Sequence, residues 1–107
     1  MTEHKTKFIV GQIVHHKLFD YIGVVYNIDL FFQGSDEWYE YVARSRPSKN
    51  KPWYHVLVHT AKHTTYVAEQ NLELEEHPKV IQHPQINLLF TKFDGSQYQR
   101  NFQLLFL

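Results

Sequence analysis

The stretch Tyr21-Ile22-Gly23-Val24-Val25-Tyr26-Asn27-Ile28-Asp29 decides the fold class. Ile22, Val24, Tyr26 and Ile28 alternate with Gly23, Val25, Asn27 and Asp29, the period-two pattern of a half-buried strand. Working outward, residues 8–15 read as a preceding strand interrupted by Gly11, with Asp20 and Gly23 bracketing the turn between the two. Downstream, Pro52 opens a third strand, Trp53-Tyr-His-Val-Leu-Val58, and Thr64-Thr-Tyr-Val-Ala68 is a fourth, rich in β-branched residues. The segment between them, residues 59–63, is short enough for a hairpin. Residues 69–75 continue into a short fifth strand. Its acids, Glu69, Glu73, Glu75 and Glu76, fit a solvated edge guarded by charge.

Helical signals are few. Ser35 is a capping residue followed by the acids Asp36 and Glu37, and Trp38, Tyr41 and Val42 share one face, which predicts a helix near residues 36–43 ended by Pro47. Pro84 in a first turn, the apolar spacing Ile86, Leu89, Phe90 and Phe93, and Gly95 as a stop predict a second near residues 85–92. Five or six short antiparallel strands with one or two short helices make a mainly β chain, a small barrel. The helices are too few and short to cross over between parallel strands.

Composition narrows the chemistry. The 107 residues read as one domain, 1–107, with no linker or internal repeat. The absence of cysteine excludes disulfides, zinc thiolates and thiol catalysis. Eleven basic residues balance eleven acidic ones, so a nucleic-acid site has to be local rather than a coat of positive charge. The N-terminus lacks the apolar core of a signal peptide, and no apolar run approaches a membrane span, so a cytoplasmic location is expected.

The local charge is in Arg44-Ser-Arg-Pro-Ser-Lys-Asn-Lys51: Arg44, Arg46, Lys49 and Lys51 are unopposed within the segment and suit phosphates. Trp53, Tyr54 and His55 follow directly and offer stacking or apolar contact; the plain alternative is a solvated loop beside an aromatic core strand. The eight histidines predict no metal site. His55 and His59 lie about 13 Å apart along a strand, and no third ligand is placed beside His59 and His63. No nucleophile elbow, phosphate-cradling glycine loop or zinc-protease motif is present, so neither catalysis nor a cofactor is expected.

Four blocks carry a resemblance. They are Phe8-x-x-Gly11-Gln12-x-Val14 with Tyr21-x-Gly23-Val24-Val25 and Ile28-Asp29; Glu37-Trp38-Tyr39; Pro52-Trp53-Tyr54-His55-Val56-Leu57-Val58; and Tyr66-Val67-Ala68-Glu69-Gln70-Asn71-Leu72. In this order, over roughly residues 8–98, they resemble the heat-shock protein HspQ family, the YccV-like or hemimethylated-DNA-binding domain. The resemblance implies an SH3-like barrel in a bacterial, cytoplasmic, stress-linked protein that binds DNA methylated on one strand. It further implies a role in steering substrates to the ATP-dependent protease Lon, and self-association. Reading methylation requires an apolar contact for the methyl and an amide for the free adenine amine; Asn50 and Gln33 are the candidates by position. The competing class is a protein-binding module, since a neutral barrel rich in aromatics also suits partner recognition. The tail, residues 101–107, is more apolar than the resemblance leads one to expect. It is expected in a subunit interface, with docking on its own barrel as the alternative.

Overall fold

The computed structural model describes residues 5–102. A five-stranded antiparallel sheet is built from β1 (Ile13–His16), β2 (Ile22–Asp29), β3 (Trp53–Val58), β4 (Thr64–Ala68) and β5 (Leu72–Leu74), in the order β4-β3-β2-β1-β5. The edge strands β4 and β5 are joined only by a 3-10 turn, Glu69–Asn71. A flat five-stranded sheet would hold its edges roughly 19 Å apart at strand spacing, further than one such turn spans at roughly 2 Å per residue. The sheet is therefore rolled into an SH3-like barrel, although no ladder joins β4 to β5 among the described residues.

Three apolar clusters hold the roll. Phe8, Val14, Val25, Tyr54, Val56, Val67 and Leu72, drawn from every strand, fill its inside. Ile13, Val24 and Leu57 point outward and are covered by Ile81, Phe90 and Tyr98 from the C-terminal segment. Tyr39, Ala43, Trp53 and Ala68 form the third cluster beneath helix α1 (Asp36–Val42). Ser35 caps that helix as expected, its Oγ accepting from the Trp38 N–H.

Two expectations need correction, and one device explains both. In β2 the pairing steps from Val25↔Val56 to Asn27↔His55, so Tyr26 is an extra, bulged residue. The bulge moves Ile28 from the face of Ile22, Val24 and Tyr26 to that of Val25, and Ile28 packs inside the barrel. The same happens in the segment expected as a helix over residues 85–92. Only Ile86–Leu89 is helical (α2). Phe90–Phe93 is a strand, β6, paired with β7 (Tyr98–Arg100), and its register shifts between Phe90 and Lys92. A bulged strand brings residues three apart to one face, which reproduces the helical spacing of Phe90 and Phe93. Gly95 is no helix stop but lies in the β6–β7 turn at φ +101°. Asp94 holds that turn, accepting from the Gln97 and Ser96 N–H groups, which depress its carboxyl to about 2.

The β6–β7 hairpin is tied to the barrel through Gly11, whose N–H donates to the Val25 carbonyl (2.8 Å) and whose carbonyl accepts from the Tyr98 N–H (2.8 Å). The Tyr98 hydroxyl accepts from the buried Ile81 N–H at 2.8 Å. Among the described residues no helix is long and apolar enough to cross a membrane. The expectation for the tail falls mainly on residues 103–107, outside the described residues. Phe102 is described and exposed, with the Arg100 guanidinium 5.8 Å from its ring centroid.

Candidate nucleic-acid interface

The cationic loop, residues 44–51, leaves helix α1 and returns to β3. It is pinned from beneath. The Tyr39 hydroxyl donates to the Pro47 carbonyl (2.7 Å), the Trp53 indole N–H donates to the Ser48 carbonyl (3.0 Å), and the Phe32 N–H donates to the Lys49 carbonyl (2.9 Å). Below these bonds Phe32 and Trp53 pack with ring centroids 4.8 Å apart, and Tyr39 meets Phe32 at 5.5 Å. An aromatic floor thus holds a polar loop by its backbone carbonyls, buries Pro47 and leaves the polar side chains outside. Arg46 adopts φ +53°, a left-handed conformation uncommon for a side-chain-bearing residue, and its N–H is bonded to the Ala43 carbonyl.

The four cations are exposed but are not equivalent. Arg46 pairs with Glu40 at 2.8 Å, and that hydrogen bond holds the Glu40 carboxyl below its ordinary range. Lys49 pairs with Asp36 at 3.2 Å and lies 4.3 Å from the Tyr39 ring centroid. Arg44 and Lys51 form no ion pair among the described residues. Asp36 and Glu40 are four apart on α1 and therefore share a face, and in the fold that face supplies carboxylates to the loop. Their spacing was the available signal; the unopposed charge of residues 44–51 holds for the loop alone and not for its surroundings.

The structure separates the remaining candidates. Trp53 is 1% exposed and Tyr54 0% exposed, so neither ring offers a stacking surface; adjacent strand residues are both buried because the barrel is packed on both faces. Trp53 anchors the loop. The Tyr54 hydroxyl donates to Glu69 (2.5 Å) and accepts from the Phe8 N–H, and its proton is held more tightly by burial and by Glu69. His55 is half-buried, its Nε2 3.0 Å from Asp29, which also accepts from the Tyr66 hydroxyl at 2.7 Å. Tyr66 in turn accepts from the Gln33 N–H, so Gln33 and His55 belong to one network while the Gln33 side chain is exposed. Asn50 is exposed on the loop, its N–H bonded to the Ser48 hydroxyl.

Other histidines also serve hydrogen bonds. His15 bridges Asp20 (2.6 Å) and Glu73 (2.7 Å), and these two partners raise its pKa. His59 Nδ1 accepts from the Gln82 N–H, and His83 joins the His63 carbonyl. Among the described residues no group of three or more His, Asp or Glu is placed to hold a metal ion.

A rolled five-stranded barrel carrying a rigidly anchored basic loop defines a small binding domain of the kind that serves nucleic acids and proteins alike. The family model described as hemimethylated DNA-binding protein YccV like matches residues 6–97, and the chain belongs to that family. It is 32% identical over 99 residues to F-box only protein 21 of Homo sapiens and to that of Pongo abelii, and 31% identical to that of Mus musculus. Each alignment covers 91% of this chain and 16% of the relative's length, so the chain spans about a sixth of these curated relatives. All three are mammalian, and the bacterial, heat-shock and protease-linked setting implied by the resemblance draws no support from them.

Proposed function

We propose that this chain is a non-catalytic module that binds duplex DNA methylated on one strand, with the loop of residues 44–51 as its phosphate-contacting surface. The family match supports DNA as the ligand. The observation that carries the site is the anchoring of the loop: three backbone carbonyls are held by the buried or half-buried aromatics Tyr39, Trp53 and Phe32, so the cations project from a fixed platform. Arg44 and Lys51 are the ready phosphate contacts. Arg46 and Lys49 exchange Glu40 and Asp36 for phosphates as the duplex arrives, at modest cost because exposed ion pairs are worth little. Asn50 on the loop and Gln33 at its flank present the amides that suit a free adenine amine. Trp53 supports this surface from below, Tyr54 packs the barrel interior behind it, and His55 fixes the neighbouring Asp29–Tyr66 network.

This division of labour has a direct consequence. Replacing the two shielding acids, Asp36→Asn with Glu40→Gln, frees Arg46 and Lys49 in advance and removes repulsion toward phosphate. Affinity for a hemimethylated duplex should rise several-fold at low salt, while the salt dependence should stay close to that of the parent, because the number of phosphate contacts is unchanged. Fluorescence anisotropy at a series of salt concentrations reads both quantities. An affinity equal to that of the parent chain would mean that this face of α1 and its loop are turned away from DNA.

A further inference from the structure

A groove lies on the other side of α1 from its loop-facing acids. One wall is the β1–β2 turn, where Leu18 and Phe19 are exposed, Phe19 at 73%. The facing wall is Trp38 and Val42 of α1, Val42 being 55% exposed. Tyr66 and Val67 of β4 line it with them, and Arg44 also lines the groove. Among the described residues no carboxylate lines it, and Arg44 is the one Arg or Lys that does.

The second feature is His16. The residue is only 4% exposed, and its Nδ1 accepts from both the Leu18 and the Phe19 N–H at 3.1 Å. Two donors on Nδ1 put the ring proton on Nε2. No hydrogen bond of the described residues uses Nε2, and none of their buried side-chain nitrogens or oxygens lacks a partner. Nε2 is therefore not sealed from solvent, and His16 is one of the residues that line the groove. Phe19 stacks on the imidazole with centroids 4.7 Å apart, and Tyr21 packs against it at 5.1 Å, so the donor is fixed in direction. Burial, and then the neighbouring His15, lower the His16 pKa, which keeps the ring a neutral donor.

We infer that this groove binds an extended peptide, which seats a large apolar side chain between Phe19 and Trp38, offers a backbone carbonyl to His16 Nε2, and sets a carboxylate against Arg44. A contiguous exposed apolar surface with a polar rim is the mark of a protein-docking site. The walls are aliphatic as well as aromatic, through Leu18 and Val42. One fixed donor suits a peptide backbone, which presents a carbonyl at every residue, whereas reading a base edge takes a bidentate partner. Charge complementarity then selects the acidic side chain, because Arg44 is not neutralised by a carboxylate of the described chain. The inference does not rest on the DNA reading, although the two share Arg44, for which a bound acidic peptide and a duplex would compete.

The test begins with selection from a phage-displayed random dodecapeptide library on the intact chain, followed by titration of the fluorescein-labelled selected peptide. The expected consensus is Leu, Phe or Trp within about three residues of Asp or Glu. Phe19→Ala and, on the opposite wall, Val42→Asp should each weaken the selected peptide about tenfold or more, with unchanged thermal melts. Arg44→Glu should weaken it similarly and recover binding when the peptide's acid is replaced by lysine, a swap that a merely structural role for Arg44 would not produce. The His16 Nε2–H signal in imidazole-tuned ¹⁵N–¹H spectra should shift on binding. Failure to enrich a consensus, or binding indifferent to the Phe19, Val42 and Arg44 changes, overturns the proposal. A single-stranded oligonucleotide that engages the same three residues would overturn it in favour of a base-binding slot.

Discussion

Replacing Arg44, Arg46, Lys49 and Lys51 together with alanine should weaken duplex binding most at low salt and flatten its salt dependence by about 3.6 units, at about 0.9 per phosphate contact. Between 50 and 200 mM salt, that slope corresponds to roughly 10²-fold in affinity. The loss is not expected to be shared equally. Arg44 and Lys51 form no ion pair among the described residues, whereas Arg46 and Lys49 must first leave Glu40 and Asp36. The pair Arg44→Ala with Lys51→Ala should therefore account for more than half of the effect. The fold should survive, since the loop is held by its carbonyls and not by its cationic side chains. Measured isotherms across salt decide it: an unchanged slope in the fourfold variant would move the phosphate contacts to another part of the barrel.

The largest expected effect on stability is at Gly11, far from that loop in sequence and in role. Gly11 has φ +100°, and a Cβ added there would run into the carbonyl of Tyr98. That same carbonyl group belongs to the residue whose N–H is bonded to Gly11, so the contact cannot open without releasing the β6–β7 hairpin from the barrel. Gly11→Ala adds backbone strain of about 1–3 kcal/mol to this steric conflict. A total near 3 kcal/mol lowers the melting midpoint by about 12–20 °C for a domain of this size. The hairpin amides should lose hydrogen-exchange protection before those of β2 and β3, whose ladder is the most extensive in the sheet. A midpoint within about 4 °C of the parent would show that the backbone relaxes around Gly11 and that the hairpin is not clamped there.

The parts of the fold that were legible in the sequence are those where local pattern and tertiary demand agree. β3 and β4 begin and end where Pro52, the β-branched run and the intervening turn put them, and α1 begins at its serine cap. The parts that were not legible contain an inserted residue. Tyr26 shifts the register of β2 and carries Ile28 to the inside. In β6 the shift between Phe90 and Lys92 makes a strand imitate the spacing of a helix. Periodicity assumes an unbroken ladder, so a bulge defeats it in either direction. The outward-facing cluster was hidden for the same reason: an expected half-buried β2 left no need for the C-terminal hairpin that covers it.

The candidate site divides along a similar line. Charge in the loop is a property of consecutive residues and was visible. Its partial neutralisation by Asp36 and Glu40 depends on how α1 packs beside the loop. Trp53 and Tyr54 looked available because strand neighbours ordinarily face opposite ways and one of them meets solvent. Here the barrel interior takes Tyr54 and the α1 cluster takes Trp53. The His16 donor had no sequence signature, because it is created by the turn that folds Leu18 and Phe19 back onto its ring.

The central claim, that the domain distinguishes DNA methylated on one strand, is tested most directly by titrating three duplexes of one sequence, unmethylated, hemimethylated and fully methylated, at two salt concentrations. One apolar contact to the methyl and one amide contact to the free amine give discrimination of about 1–3 kcal/mol. The hemimethylated duplex should therefore bind about tenfold more tightly than either of the others. The salt dependence should be the same for all three, because the loop's phosphate contacts are common to them. Equal affinities for the three duplexes, or no binding to any of them, would contradict the account.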